Sequence, residues 1–560
     1  MKSMIMAAIA ASAIAAGAAA QEPRMPDLSE LNAMTARFAP VDLSADAASL
    51  PENERRALAR LVDAARVMDA LFLRQVWSGN ETMLLDLLRD TSDLGRARVR
   101  YFLLNKGPWS RLDENRPFVP GAPPKPTEGN FYPAGAAKSD VDAWIAALPE
   151  AQRTAATGFF TTIRRGPGGT FTAVPYSLEY QGELARAAAL LREAAALTAQ
   201  PTLKSFLEKR ASAFLTNDYF DSDVAWMELD SSIEPTIGPY EVYEDEWFNY
   251  KAAFEAFVAI RDDEETRKLE RFGGELQGIE NNLPIDPKYR NPTLAAMAPI
   301  RVVNTVFSAG DGNRGVQTAA FNLPNDERII AEKGAKRVML KNNQEAKFAM
   351  VLVPISKVAL APADQPRVEF EAFFTHILMH ELMHGLGPHG IVVAGRTTTV
   401  RQELKDTYSA VEEAKADISG LFALQFLVDR GVLDTRFEQT MYTTFLASIF
   451  RSIRFGLNEA HGRGVAIQLN YFLDHGGVTV SPDGTFGVNA ARIKQNVIEL
   501  TREILTMQAI GSYADARRMI DTMAVMRPPI QRVLDRLTAI PIDIAPRFVT
   551  ADALGQTGVN

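Results

Sequence analysis

Residues 370–388 read FEAFFTHILMHELMHGLGP. Phe370, Phe373, Phe374, Ile377, Leu378 and Leu382 recur at three- and four-residue intervals, the period of a helix with one apolar face, and Gly385, Gly387 and Pro388 follow as stop signals. The spacing predicts a helix that ends close to His384. On it, His380 and His384 stand four residues apart on one face, with Glu381 to one side. Two neutral imidazole nitrogens so placed can converge on a zinc ion at about 2.0 to 2.1 Å. A neighbouring carboxylate can take a proton from metal-bound water.

A further ligand is needed, and the downstream stretch Val411-Glu412-Glu413-Ala414-Lys415-Ala416-Asp417-Ile418 offers one. Ala414, Ile418, Leu421 and Phe422 form an apolar stripe that packs a second helix against the first and aims Glu413 at the metal. Asp417, one turn on, is placed to accept a hydrogen bond from the unligated nitrogen of a histidine, which fixes its tautomer; Glu412 is a candidate for similar support. The competing reading of these acids is the solvated face of an amphipathic helix. Of the other histidines, His376 reads as a partly buried helix residue, His389 as a loop residue near the cleft, and His475 as part of a turn.

These residues resemble the dipeptidyl peptidase III family of zinc exopeptidases, whose signature couples a histidine-glutamate motif to a Glu-Glu-x-x-x-(Asp/Glu) helix. Further segments are similar: Ile233-Glu234-Pro235-Thr236-Ile237-Gly238 with Tyr243 and Phe254–Ala259; Ala309-Gly310-Asp311-Gly312 with Phe321-Asn322-Leu323-Pro324-Asn325-Asp326; and Glu459-Ala460-His461. The similarity runs from about Asn217 to His475. It implies one Zn2+ per chain held by His380, His384 and Glu413, Glu381 as the base that activates water, and His461 as a stabiliser of the oxyanion. It also implies Glu234 at the substrate's free ammonium, and Asn322 and Asn325 on the peptide backbone. Amides suit that task because they both donate and accept.

Two positions depart from the family pattern. Only three residues separate His380 from His384, where the family usually has four, and this tighter spacing is the ordinary zinc-hydrolase geometry. Where the family has a tyrosine that assists catalysis, the chain has Thr236, with Tyr240 and Tyr243 as substitutes or as packing residues.

A chain of 560 residues with 47% hydrophobic and 23% charged residues buries a substantial core and divides into lobes. A net charge of -9 without a long basic cluster argues against a nucleic-acid partner. Gly310-Asp311-Gly312-Asn313-Arg314-Gly315 meets a dinucleotide glycine pattern, but without a strand-loop-helix unit around it a glycine turn is the better reading. There are no cysteines, hence no disulfides. Lys2, the alanine-rich run from Met4 to Ala16, and Ala18-Ala19-Ala20 read as an export signal cleaved before Gln21, into a periplasm or outside the cell. No later stretch is long and apolar enough for a membrane span.

Helices are expected at 28–38, 52–88, 180–198, 202–214 and 251–283, and strands at 301–307, 337–340 and 349–353; residues 107–137 are expected to pack as an extended segment. The fold class is α+β and helix-dominated. The resemblance implies two lobes around a wide cleft: a signal at 1–20, a sheet-containing lobe at 21–254 and 306–352, and a helical catalytic lobe at 255–305 and 353–560. The expected activity is hydrolysis of short peptides with release of N-terminal dipeptides. The rivals are a zinc hydrolase of the same fold acting on another amide or ester, and a catalytically idle peptide-binding protein of the cell envelope.

Overall fold

A computed structural model describes residues 24–294 and 299–557; the expected export signal lies outside them. Helices dominate, and the largest sheet has five strands: β1 (Ile233–Glu241), β2 (Ala253–Arg261), β3 (Ile300–Gly310), β4 (Ala320–Leu323) and β5 (Lys336–Leu340). Their spatial order is β1-β2-β3-β5-β4. β3 and β5 run parallel and the other neighbours antiparallel. β4 therefore lies at an edge, paired on one side only, with Asn322 opposite Arg337 of β5.

The expected helix over 251–283 is corrected: β2 occupies its first part, and helices cover only Asp263–Gly273 and Leu276–Asn282. Both faces of β2 are buried, so its apolar residues do not alternate with polar ones and the run carries no strand period. The expected strand at 349–353 is likewise a helical turn, Phe348–Leu352, continuous with helices on either side. The long helix expected over 52–88 breaks at Trp77, whose backbone is extended and whose ring packs edge-on against Trp109.

The buried side chains gather into two large cores. One joins helix α1 (Glu52–Val76) to the inner residues of β1, β2 and β3; Leu58, Leu61, Ala65, Met68 and Phe72 supply the helix's contribution at three- and four-residue spacing. The other is formed by α2 (Phe370–Met383), α3 (Tyr408–Asp429), α4 (Thr435–Ile453), α5 (Ala460–Asp474) and the helices beyond. The chain's end returns to the first body: Asp543–Phe548 pairs in parallel with Phe38–Leu43, and Ile544, Phe548 and Ala551 join the sheet-side core. The expected boundaries shift accordingly, because β2 runs unbroken across 254/255 and residues 543–557 pack with the sheet rather than with the helices. No helix among the described residues is long and apolar enough to cross a membrane.

Candidate metal centre and substrate cleft

α2 carries His380 and ends at Met383, so His384 sits at its C-cap. α3 lies alongside, and glycines permit a close approach of backbones. A Cβ on Gly420 would meet the His380 backbone nitrogen at 3.4 Å, and one on Gly464 of α5 would meet the Ala414 nitrogen at 3.0 Å. The two histidines and Glu413 are thereby brought together with ligand atoms within 4.8 Å of one another.

The hydrogen bonds around this cluster determine which nitrogens are free. His380 Nδ1 lies 2.7 Å from Asp417 Oδ1, and His384 Nδ1 lies 3.0 Å from Glu412 Oε1. An ionised carboxylate only accepts, so each Nδ1 carries the proton and each Nε2 presents a lone pair. Burial opposes the charge on both acids, yet His380 draws Asp417 down to about 2, and His384 with Lys415 does the same for Glu412. Asp417 also accepts from Gln468 Nε2 at 3.3 Å, and Glu412 from Gln508 Nε2 at 2.8 Å. Lys415 stands 2.7 Å from Glu412 and donates to the Met383 carbonyl at 2.8 Å, which ties α3 to the end of α2.

With both Nδ1 positions engaged, His380 Nε2 and His384 Nε2 face each other at 3.1 Å. Glu413 Oε2 is 3.2 Å from His380 Nε2 and 3.8 Å from His384 Nε2, and this sealed oxygen makes no hydrogen bond of proper geometry. Two lone pairs and a carboxylate oxygen converging this closely call for a cation between them. Burial resists charging His380, but Asp417 and Glu413 outweigh it and raise its pKa well above the usual imidazole value in the metal-free protein, so a metal ion binding at Nε2 takes the place of a proton. Two imidazoles and one carboxylate are a donor set suited to a catalytic metal ion.

Glu381 and His461 line the same cavity, of about 260 Å³, together with Thr318, Ala319 and Ala320 at the start of β4. His461 begins α5, keeps 63% of its side chain exposed and puts Nε2 3.2 Å from Glu413 Oε2. His376 is buried, with Nε2 3.0 Å from the Asp417 carbonyl, and burial lowers its pKa, as expected of a packed histidine.

Along β4 the metal-side cavity adjoins a second one of about 630 Å³ that shares Thr318 and Ala320 and contains the exposed Asn322 and Asn325. Asn325 donates from Nδ2 to the Tyr240 carbonyl at 3.0 Å. Glu234, expected at the ammonium end, does not line this cavity. It is 1% exposed, with Oε1 2.5 Å from Lys336 Nζ, because β1 is buried on both faces until it emerges at Glu241. The carboxylates that do line the cavity are Glu241, Glu255 and Asp311, with Arg111 and Arg314 beside them; Arg314 is ion-paired with Asp311, and both arginines with Glu244. Burial and the Asp311 charge push Glu241 up to about 7, and burial with the Glu241 charge pushes Glu255 well above the carboxylate range. Thr236 and Tyr240 are buried, while Tyr243 is exposed at the acidic end, so among the described residues no tyrosine lines the metal-side cavity.

The acidic trio, Lys415, Gln468 and Gln508 were not singled out from the sequence. Lys415 and Gln468 each interrupt an apolar helix face, a signal of a buried polar partner; the three acids come from separate segments and carry no local pattern.

The fold and the cluster together define a metal-dependent hydrolase. The comparisons with known proteins narrow this. The model of peptidase family M49 matches residues 171–390. Nudix hydrolase 3 of Arabidopsis thaliana is 42% identical over 92% of this chain and 74% of its own length. Among solved structures, dipeptidyl-peptidase III from Corallococcus sp. strain EGB is 65% identical, with a TM-score of 0.84 over 95% of this chain and 99% of that one. DPP III from Caldithrix abyssi is 46% identical, with a TM-score of 0.92 over 94% and 100%. The chain belongs to peptidase family M49, and it is a peptidase with the helix-dominated two-lobe fold.

Proposed function

We propose that this peptidase uses zinc, held by His380, His384 and Glu413, to release dipeptides from the free amino terminus of short peptides. The observation that carries the reading is the continuity of the cleft: one unpaired strand edge links a pocket of three carboxylates and two arginines to the histidine-glutamate cluster. Zinc, when bound, supplies Lewis acidity to the scissile carbonyl and lowers the pKa of attacking water. The chain's own groups do the rest. A peptide added antiparallel to the free edge of β4 gains main-chain hydrogen bonds. Asn322 and Asn325 hold its first residues, and the carboxylates of Glu241, Glu255 and Asp311 receive its ammonium, in place of the buried Glu234. The likeness to solved dipeptidyl-peptidase III structures supports a cut two residues in. Glu381 takes the proton of the attacking water and delivers it to the leaving amine, while His461 steadies the developing negative charge.

Asp417 and Glu412 orient the histidines. The sequence supports export of the enzyme with cleavage before Gln21. Cleavage of a tetrapeptide with a free amino end, and none of its acetylated counterpart, tests the ammonium recognition. Equal cleavage of the two would refute it.

A further inference from the structure

The metal-side cavity contains a cation that the chemistry above does not use. Arg451, on α4 two residues from its end, lines it together with Thr318 and Ala319. Its guanidinium makes no hydrogen bond or ion pair with any described residue within normal distance, and Nε is sealed from solvent without a partner. A guanidinium offers five donors and stays charged, so one left partly buried and unpaired has donors to spare for an anion; Arg337 shares this state, but it is Arg451 that lines the cavity. The acid that influences it, Asp543, uses Oδ2 for Lys347 Nζ at 2.8 Å and for the Gln317 backbone amide at 2.7 Å, and its buried Oδ1 makes no hydrogen bond to Arg451 or to any other described residue. The rest of this wall is apolar or hydroxylic: Phe373, Ile449, Ser448 and Ser452.

Glu241, Glu255 and Asp311 line the cavity at the Asn322 end of β4, together with Arg111 and Arg314, while Arg451 and the metal cluster line the cavity that the strand enters at Thr318 and Ala320. A peptide whose ammonium sits at the acidic end runs toward Arg451 with its leaving segment. At about 3.5 Å per extended residue, a cavity of about 260 Å³ accommodates only a few residues past the cut. We propose that Arg451 receives the C-terminal carboxylate of short peptide substrates, so that the enzyme recognises both ends of its substrate and selects for length. Arg451 is then a specificity-determining residue outside the bond-breaking step. The inference rests on the peptidase reading and on the chain direction proposed above.

The test compares three substrates on metal-loaded enzyme: a tetrapeptide free acid, its C-terminal amide, and a dipeptidyl naphthylamide with no carboxylate. The native enzyme should favour the acid over the amide by about tenfold to a hundredfold in kcat/KM, mainly through KM, as one charge-assisted bidentate contact provides. Arg451→Gln should erase that preference and leave naphthylamide turnover unchanged; Arg451→Lys should restore part of it. Equal losses of Arg451→Gln on all three substrates would mean a structural role beside Asp543, and would overturn the proposal. So would a native enzyme indifferent to amidation, which decides the matter even if Arg451→Gln fails to fold. Failure of the native enzyme on all three substrates would instead refute the peptidase reading, and this inference with it.

Discussion

Asp417→Asn isolates the contribution of histidine orientation, because it keeps the size of the side chain and removes its charge. Asp417 Oδ1 lies 2.7 Å from His380 Nδ1, and its other oxygen is held by Gln468, so the acceptor is fixed from both sides. The substitution removes one charge-assisted hydrogen bond, worth about 1.5–3 kcal/mol. An asparagine amide can also turn its NH2 toward the ring, which would favour protonation at Nε2 and block the lone pair meant for the metal. Loss of a histidine's outer partner elsewhere weakens metal binding by about 10–100-fold, equivalent to about 1.4–2.7 kcal/mol. The two estimates agree, so the metal dissociation constant of Asp417→Asn should rise by about one to two orders of magnitude. Chelator competition, with metal counted by mass spectrometry, measures it. Glu412→Gln should cost less, because its contact to His384 is longer at 3.0 Å and Gln508 and Lys415 hold the side chain in place. A folded Asp417→Asn protein that binds metal within twofold of native would refute the assigned tautomers and the orientation argument.

Other outcomes follow from the same geometry. Glu241 has its carboxyl raised to about 7 by burial and by Asp311, so its ionisation costs folding stability that sets in as pH rises from about 4.5 to about 7; Glu241→Gln should therefore raise Tm more at pH 8 than at pH 4.5. The same ionisation favours a substrate ammonium, so kcat/KM for free-amine peptides should climb through about pH 7 and flatten in Glu241→Gln; an unchanged profile would exclude Glu241 from the ammonium site. Gly464→Ala puts a Cβ 3.0 Å from the backbone of the helix bearing Glu413 and should cost about 1–3 kcal/mol, read as a lower Tm together with weaker metal binding; a Tm unchanged within a degree would show that the helices separate freely. Expression with the full amino terminus should yield an exported protein beginning at Gln21, checked by intact mass; retention of residues 1–20 would contradict the export reading.

The metal cluster was legible because it is local. His380, His384 and Glu413 lie on two helices whose apolar periods survive in the sequence, and Asp417 follows one turn after Glu413. What the sequence concealed depends on tertiary placement. Glu234 sits on a strand buried on both faces, where neither alternation nor residue type indicates which carboxylate reaches solvent, and Lys336 comes from a strand about a hundred residues away. β2 read as part of a helix for the same reason, since a fully buried strand has no period of two. Arg451 and Glu255 gain meaning only from cavities that distant segments close.

The central claim is that the His380, His384 and Glu413 cluster, with Glu381 as its base, releases N-terminal dipeptides. Mass-spectrometric identification of the products formed from a free-amine hexapeptide, by metal-loaded native protein and by Glu381→Gln, addresses it directly. The account predicts the first two residues as a single fragment from the native protein, and turnover reduced by about 10²–10⁴-fold in the variant with metal content unchanged. A first product of any other length, or undiminished turnover by the metal-loaded variant, would contradict it.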